Sequence, residues 1–239
     1  MNYKEKYLKY KMKYIEAKNK LKQTGGIFVI PEKLKPLIRR NDDGSLNLYD
    51  SLESFLSAWK GQTKYNQDRR EFLTRCIRPL HDCQINIIDA RGDGNCFYEC
   101  IFMFLSMTQI DFPFVNHEQL KEYIIGQIEE DVELRENYGD YFEEILKGIK
   151  DPNCPDLDIP ISKVCSLFEK KLCSINFRLD TGVLRGYVRK YGSSEPNDCI
   201  TIFVSNGHVY LVYPTCESGS SISVRQNLFD SIDGGTRIN

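Results

Sequence analysis

The sequence predicts an α+β protein in which a small central β-sheet, encoded mostly late in the chain, is flanked by several helices. Three observations carry this expectation. Apolar side chains recur at helical spacing through several long segments. Short apolar runs bounded by turn residues read as strands. Asn206-Gly207, lying between two such runs, is a strong hairpin signal. With 239 residues, 41% apolar and 28% charged, the chain suits one large domain or a catalytic domain with an appendage. Collagen, bulk disorder and a polytopic membrane protein are excluded on composition.

The elements follow in order. Residues 1–26 form a Lys/Tyr-rich helical arm with Tyr3, Tyr7, Tyr10, Tyr14, Ala17 and Leu21 at heptad steps, stopped by Thr24-Gly25-Gly26. Residues 27–82 are expected to be a helical extension packed on the catalytic part. It starts with an apolar edge segment and a polar turn at Asn41–Gly44. One helix follows from about Ser51, with Leu52, Phe55, Leu56 and Trp59 as core, and a second carries Phe72, Leu73, Cys76 and Ile77. Residues 83–214 hold the chemistry. A strand over Gln84–Asp89 breaks at a Gly-rich turn, and an apolar helix with Phe97, Ile101, Phe104 and Leu105 comes next. Two acidic helices over 118–149 split near Asn137–Gly139. A loop punctuated by Pro152, Pro155 and Pro160 leads to a helix from about Ser162 to Lys171. Strands follow at Cys173–Leu179, Ile200–Val204 and Val209–Tyr213. Residues 215–239 are a loose polar tail.

Formal net charge is −2, from 32 basic and 34 acidic side chains. The arm holds eight Lys against Glu5 and Glu16, which leaves 24 basic and 32 acidic side chains for the rest. An acidic body of this kind argues against holding nucleic acid by counterion release. The run Glu129–Glu133 is a solvated helix face or a meeting point for a basic partner. No apolar stretch of about eighteen residues crosses a bilayer and no signal peptide precedes the body, so no membrane partner is expected. Nine irregularly spaced cysteines without a CxxC suit free thiols in the cytoplasm. Their spacing also suits no metal site.

The chemistry concentrates in Asp89-Ala90-Arg91-Gly92-Asp93-Gly94-Asn95-Cys96-Phe97-Tyr98. A cysteine at the mouth of a helix is favoured as a thiolate by the helix dipole. Gly92 and Gly94 let the loop of Gly92, Asp93, Gly94, Asn95 and Cys96 turn its backbone N–H groups inward, as an oxyanion nest. Asp93 either holds that nest open across the loop or supports a base. This is an arrangement for nucleophilic acyl transfer once a histidine arrives. Of His81, His117 and His208, the last opens a strand after the Asn206-Gly207 turn and is the expected base. His81 and His117 read as surface or capping residues, and Cys100 as packing.

Asp93-Gly94-Asn95-Cys96-Phe97-Tyr98, with Gly207-His208 on a late apolar strand, resembles the ovarian tumour (OTU) cysteine proteases, which are deubiquitinases. The likeness covers roughly residues 83–214. It implies a papain-type fold, Cys96 as nucleophile, His208 as base and then acid, and Asp93 as the acidic member. It further implies ubiquitin or polyubiquitin as partner, no cofactor, and a monomer. Many members place Asp or Asn two residues after the histidine, where this chain has Tyr210. His208 is then oriented by Asp89, Asp93 or a backbone carbonyl, or is held less firmly. Two other readings stand beside this one, an inactive ubiquitin-binding module and a general papain-like peptidase. Residues 1–26 also resemble the Lys/Tyr leader of some giant DNA virus proteins, which would make the cytoplasm that of a host.

Overall fold

The computed structural model describes residues 28–58, 63–77, 84–108, 112–151, 157–180, 183–192 and 198–215, together with Arg225, Phe229 and the strand at 237–238. The Lys/Tyr arm, Trp59 and His81 lie outside the described residues.

One mixed sheet of seven strands organises the molecule, in the order β1-β2-β6-β5-β3-β4-β7. The strands are β1 (Leu48–Tyr49), β2 (Gln84–Asp89), β3 (Lys171–Asp180), β4 (Val183–Tyr191), β5 (Cys199–Ser205), β6 (His208–Thr215) and β7 (Arg237–Ile238). All neighbours are antiparallel except β3 and β5. The hairpin between β5 and β6 turns at Asn206 (φ 51°) and Gly207 (φ 79°), the left-handed pair that matches strand twist.

The helices are α1 (Leu52–Ser57), α2 (Thr63–Ile77), α3 (Cys96–Thr108), α4 (His117–Glu129), α5 (Val132–Tyr138), α6 (Phe142–Lys150) and α7 (Asp158–Phe168), preceded by a 3-10 turn at Glu32–Leu37. They cover the sheet on both faces. On one side α3, α4, α6 and α7 bury Leu105, Ile124, Leu146 and Val164 against Val209 and Leu211 of β6. On the other, α1 and α2 bury Phe55 and Phe72 against Tyr210 and Val212. Alternate residues of β6 thus feed two cores, which is why β5 and β6 read as near-continuous apolar runs.

Start signals in the sequence are used locally. Ser51 and Ser54 form a reciprocal capping box at α1, and Asn116 caps α4. The acidic region holds three helices rather than two, because Asp131 accepts from the Leu134 N–H and begins α5. Asp131 is also ion-paired with Lys163 of α7. Helix α7 starts earlier than expected and ends at left-handed Glu169. Its Pro160 sits in the first turn, where a missing N–H costs no helical bond.

Three expectations need correction. Strand β4, Val183–Tyr191, was not anticipated, although it pairs with β3 along nine positions from Leu172↔Tyr191 to Asp180↔Val183. The 27–82 segment is more than a helical extension. It supplies β1, bridges Ile38 to Ala90 and places Leu34 in the main core. The C-terminal stretch is not simply a loose tail. Arg225 is buried, donating from Nε to Asp198 Oδ1 at 2.6 Å, and β7 pairs with β4. Burying that ion pair costs several kcal/mol of hydration per charge, partly offset by Lys170, which also donates to Asp198 at 3.4 Å.

Candidate active site

The loop from Arg91 to Asn95 joins β2 to α3, and Cys96 is the first residue of that helix. Gly94 adopts φ +87°, a left-handed conformation that a Cβ strains. Cys96 is 7% exposed, and its S–H donates to the Gly207 carbonyl across 3.9 Å. His208 comes next and opens β6. A Cβ placed on Gly92 would lie 4.0 Å from His208 Cε1 and Nδ1, so that edge of the ring faces the nucleophile loop. Sulfur and imidazole, 112 positions apart in the chain, are brought close enough for Cys96 to help raise the pKa of the ring.

The other edge of the ring belongs to Asp89, whose Oδ1 lies 2.6 Å from His208 Nε2. The register explains the meeting. Asp89 pairs directly with Tyr210, so Asp89, Tyr210 and His208 share a face and Asp89 is the diagonal neighbour of His208. The second carboxylate oxygen accepts from Asn47 Nδ2 at 3.2 Å. Tyr210 is not the orienting acid. Burial raises its phenol and keeps it neutral, and its ring packs edge-on against His208 at 4.7 Å, with Phe55 behind at 5.1 Å. Burial alone would discharge the imidazole, but the hydrogen bonds and charges of Asp89 and Cys96 outweigh it and raise His208 to about 9. Because Tyr210 contributes only packing, Tyr210→Phe is expected to change kcat/KM by less than about tenfold. A folded but inactive Tyr210→Phe enzyme would contradict that role.

The remaining candidates fall as follows. Asp93 does not touch His208. Its Oδ1 accepts from the Asn95 N–H at 3.1 Å and its Oδ2 faces Arg91 Nη2 at 3.3 Å. Of the two roles open to it, the geometry gives it the loop. Asn95 therefore leaves the set of oxyanion donors, since its N–H is already taken. The Gly92, Asp93, Gly94 and Cys96 N–H groups have no acceptor among the described residues and remain suited to that task. His117 is no surface residue. It is 3% exposed, with Nε2 3.8 Å from Glu99 Oε1. Cys100 is wholly buried, its S–H donating to Val209 O at 3.8 Å, and burial pushes its thiol well up. Among the described residues no three His, Cys, Asp or Glu side chains gather to hold a metal ion.

Four residues of the site escaped sequence reasoning. Asn47 and Lys121 carry no local signal. Arg91 lies in the loop itself, and Glu99 is the lone charge of an otherwise uncharged α3, a signal that was available. Lys121 Nζ donates to Asn95 Oδ1 at 2.9 Å and sits 5.4 Å from the centre of the Tyr98 ring.

A groove of about 610 Å³ runs over Cys96 and His208, walled by Tyr98, Leu157, Asn176 and Tyr187. Two glycines of the loop are expected to differ on substitution. Gly94→Ala forces a Cβ into the left-handed region at about 1–2 kcal/mol, and should lower both the unfolding midpoint and kcat. Gly92→Ala meets His208 only at ordinary contact distance and should leave stability within about 1 kcal/mol. Equal losses in urea unfolding of the two variants would contradict this account.

No protein-family model matches the chain, and no curated protein matches it. Among solved structures, the chain is similar to the viral OTU domain protease from Farallon virus. The identity is 15% and the TM-score 0.41, over 56% of this chain and 86% of that one. It is also similar to the viral OTU domain protease from Dera Ghazi Khan virus, at 15% identity and TM-score 0.36, over 75% of this chain and 96% of that one.

Proposed function

We propose that this chain is a cysteine deubiquitinase of the OTU type, hydrolysing isopeptide bonds at the C-terminal glycine of ubiquitin through a thioester. The observation that carries the chemistry is one imidazole joined to Asp89 by Nε2, while its Cε1–Nδ1 edge faces Gly92 of the loop that leads into Cys96. The ubiquitin assignment rests on the Asp93–Tyr98 box together with Gly207-His208.

The steps follow from positions. The Cys96 proton has passed to His208 before attack, the raised imidazole holding it at neutral pH, and the sulfur attacks the glycine carbonyl as a thiolate. The carbonyl oxygen becomes an anion stabilised by backbone N–H groups of the 92–96 loop, those of Gly92, Asp93, Gly94 and Cys96 being open among the described residues. The C–N bond then breaks, and the imidazolium protonates the departing lysine amine. Water, deprotonated by His208, attacks the thioester and releases ubiquitin and the thiol. Throughout, Asp89 holds the ring and balances its charge. The lack of an acid two residues after His208 would favour an inactive ubiquitin-binding module, but Asp89 stands in for that acid. Six free, buried cysteines among the described residues suit a reducing compartment, and the cytoplasm is the proposed location.

Ubiquitin carrying a C-terminal electrophile tests the proposal. Labelling that vanishes in Cys96→Ala, with release of ubiquitin from chains by the native protein, is the expected result. Binding without labelling would establish the module instead. Cleavage of unfolded peptides but not of chains would establish a general peptidase.

A further inference from the structure

Glu99 is a carboxylate with no solvent exposure, in the first turn of the apolar helix that Cys96 begins. Nothing in the acyl-transfer steps uses it. A buried charge is costly unless it is paired, and its partner here is specific. Arg91 donates to Glu99 Oε1 from Nε at 2.8 Å and from Nη2 at 2.7 Å. The same Nη2 faces Asp93 Oδ2 at 3.3 Å, and Asp93 Oδ1 accepts from the Asn95 N–H at 3.1 Å. A continuous chain of bonds therefore runs from the interior of α3, through a side chain of the loop, to the peptide preceding Cys96. Its far end is the loop backbone whose other N–H groups, at Gly92, Asp93, Gly94 and Cys96, are open among the described residues.

We propose that Glu99 is a positioning residue, anchoring Arg91 from inside α3 so that Arg91 and Asp93 hold the 92–95 loop in the one conformation that presents its N–H groups to a reacting carbonyl. The inference rests on the acyl-transfer reading of Cys96 and deepens it.

The surroundings leave the anchor to Arg91 alone. Glu99 Oε2 has no partner among the described residues. His117 on α4 is the other group facing Glu99, and burial first of all lowers its pKa, so it adds no cation. Its Nδ1 is 3.1 Å from Glu118 Oε2 but out of hydrogen-bonding alignment. Asp93 and Glu118 add negative charge around Arg91. Burial raises Glu99 to about 7 against the opposing pull of Arg91. The charge that grips Arg91 is therefore complete above neutral pH and fades below it.

Two conservative variants test the anchor. Glu99→Gln keeps the size of the side chain and removes its charge. Arg91→Lys keeps the charge and removes the two-nitrogen grip, without leaving Glu99 buried alone. In each, kcat on a ubiquitin-linked fluorogenic substrate at pH 8 should fall about tenfold or more with KM little changed, since a loop displaced by an ångström misplaces the donors. Exchange of the loop amides with deuterium should quicken about tenfold. The ratio of wild-type to Glu99→Gln kcat should shrink as pH drops below about 7, where the native carboxyl takes up its proton. Unchanged amide exchange and kcat in two folded variants would overturn the proposal, as would a loss confined to KM. If the native protein leaves ubiquitin conjugates intact while both variants still loosen the loop, the anchor stands and the ubiquitin reading fails. Should Glu99→Gln not fold, Arg91→Lys with normal loop exchange and kcat would by itself overturn the anchor.

Discussion

His208→Ala is expected to lower kcat/KM on ubiquitin conjugates by about 10³-fold or more, the scale on which a general base and acid acts. The variant removes the group that receives the thiol proton and the group that protonates the leaving amine, because both are one ring. Its pH behaviour is set by the same surroundings. With His208 raised to about 9 by Asp89 and Cys96 against the effect of burial, the imidazolium needed for the leaving amine is present at neutral pH. The native kcat/KM should therefore turn down as pH rises through about 9. Stability follows with the same sign. A histidine whose folded value exceeds its unfolded value of about 6.5 contributes fully below that pH and loses its contribution as pH rises toward about 9. The amount is on the order of 3 kcal/mol, and the ring is 18% exposed. Thermal melts between pH 6 and 9.5 should show a decline that is smaller in His208→Ala. Parallel melting curves for the two proteins would mean that His208 carries no such charge.

Asp89→Ala carries the second large effect, a fall in kcat/KM of about 10²-fold. The ring loses the acceptor that fixes its orientation, yet a cysteine nucleophile depends less on a third member than a serine does. Asn47 would then be left without the carboxylate oxygen it now bonds. Asp89→Asn retains an oxygen for Nε2–H and loses only the charge, so it should cost about tenfold and bring the alkaline decline to a lower pH. If Asp89→Ala retained native kcat/KM in a folded protein, the orienting partner would have to be sought elsewhere.

How much of this was legible beforehand depends on distance along the chain. The turn at Asn206-Gly207, the helix start at Ser51 and the strand at Gln84–Asp89 are written in neighbouring residues, so pattern and turn chemistry suffice. Strand β4 was missed because Arg185, Arg189 and Lys190 interrupt its apolar alternation. Its companion β3 and helix α2 still bury Leu184 and Val188 on one face. His117 was misplaced for a related reason. Beside Asn116 and Glu118 at a helix start it reads as a surface or capping residue, and only the packing of α4 beside α3 buries it against Glu99.

The chain's local text was enough to place Cys96 at a helix start, the glycine-rich turn before it and the histidine that opens a late strand, since each depends on the conformational preferences of a few adjacent residues. Asp89 was named as one of several partners for that histidine, and the choice among them lay beyond any local pattern. It required the register of β2 against β6, which pairs Asp89 with Tyr210 and so sets its carboxylate against a ring 119 positions away. Likewise, Glu99 became an anchor only when α3 packed against the sheet and α4, removing water and leaving Arg91 as its counter-charge. Register and desolvation belong to the assembled molecule, because both are decided by which distant surfaces exclude solvent together.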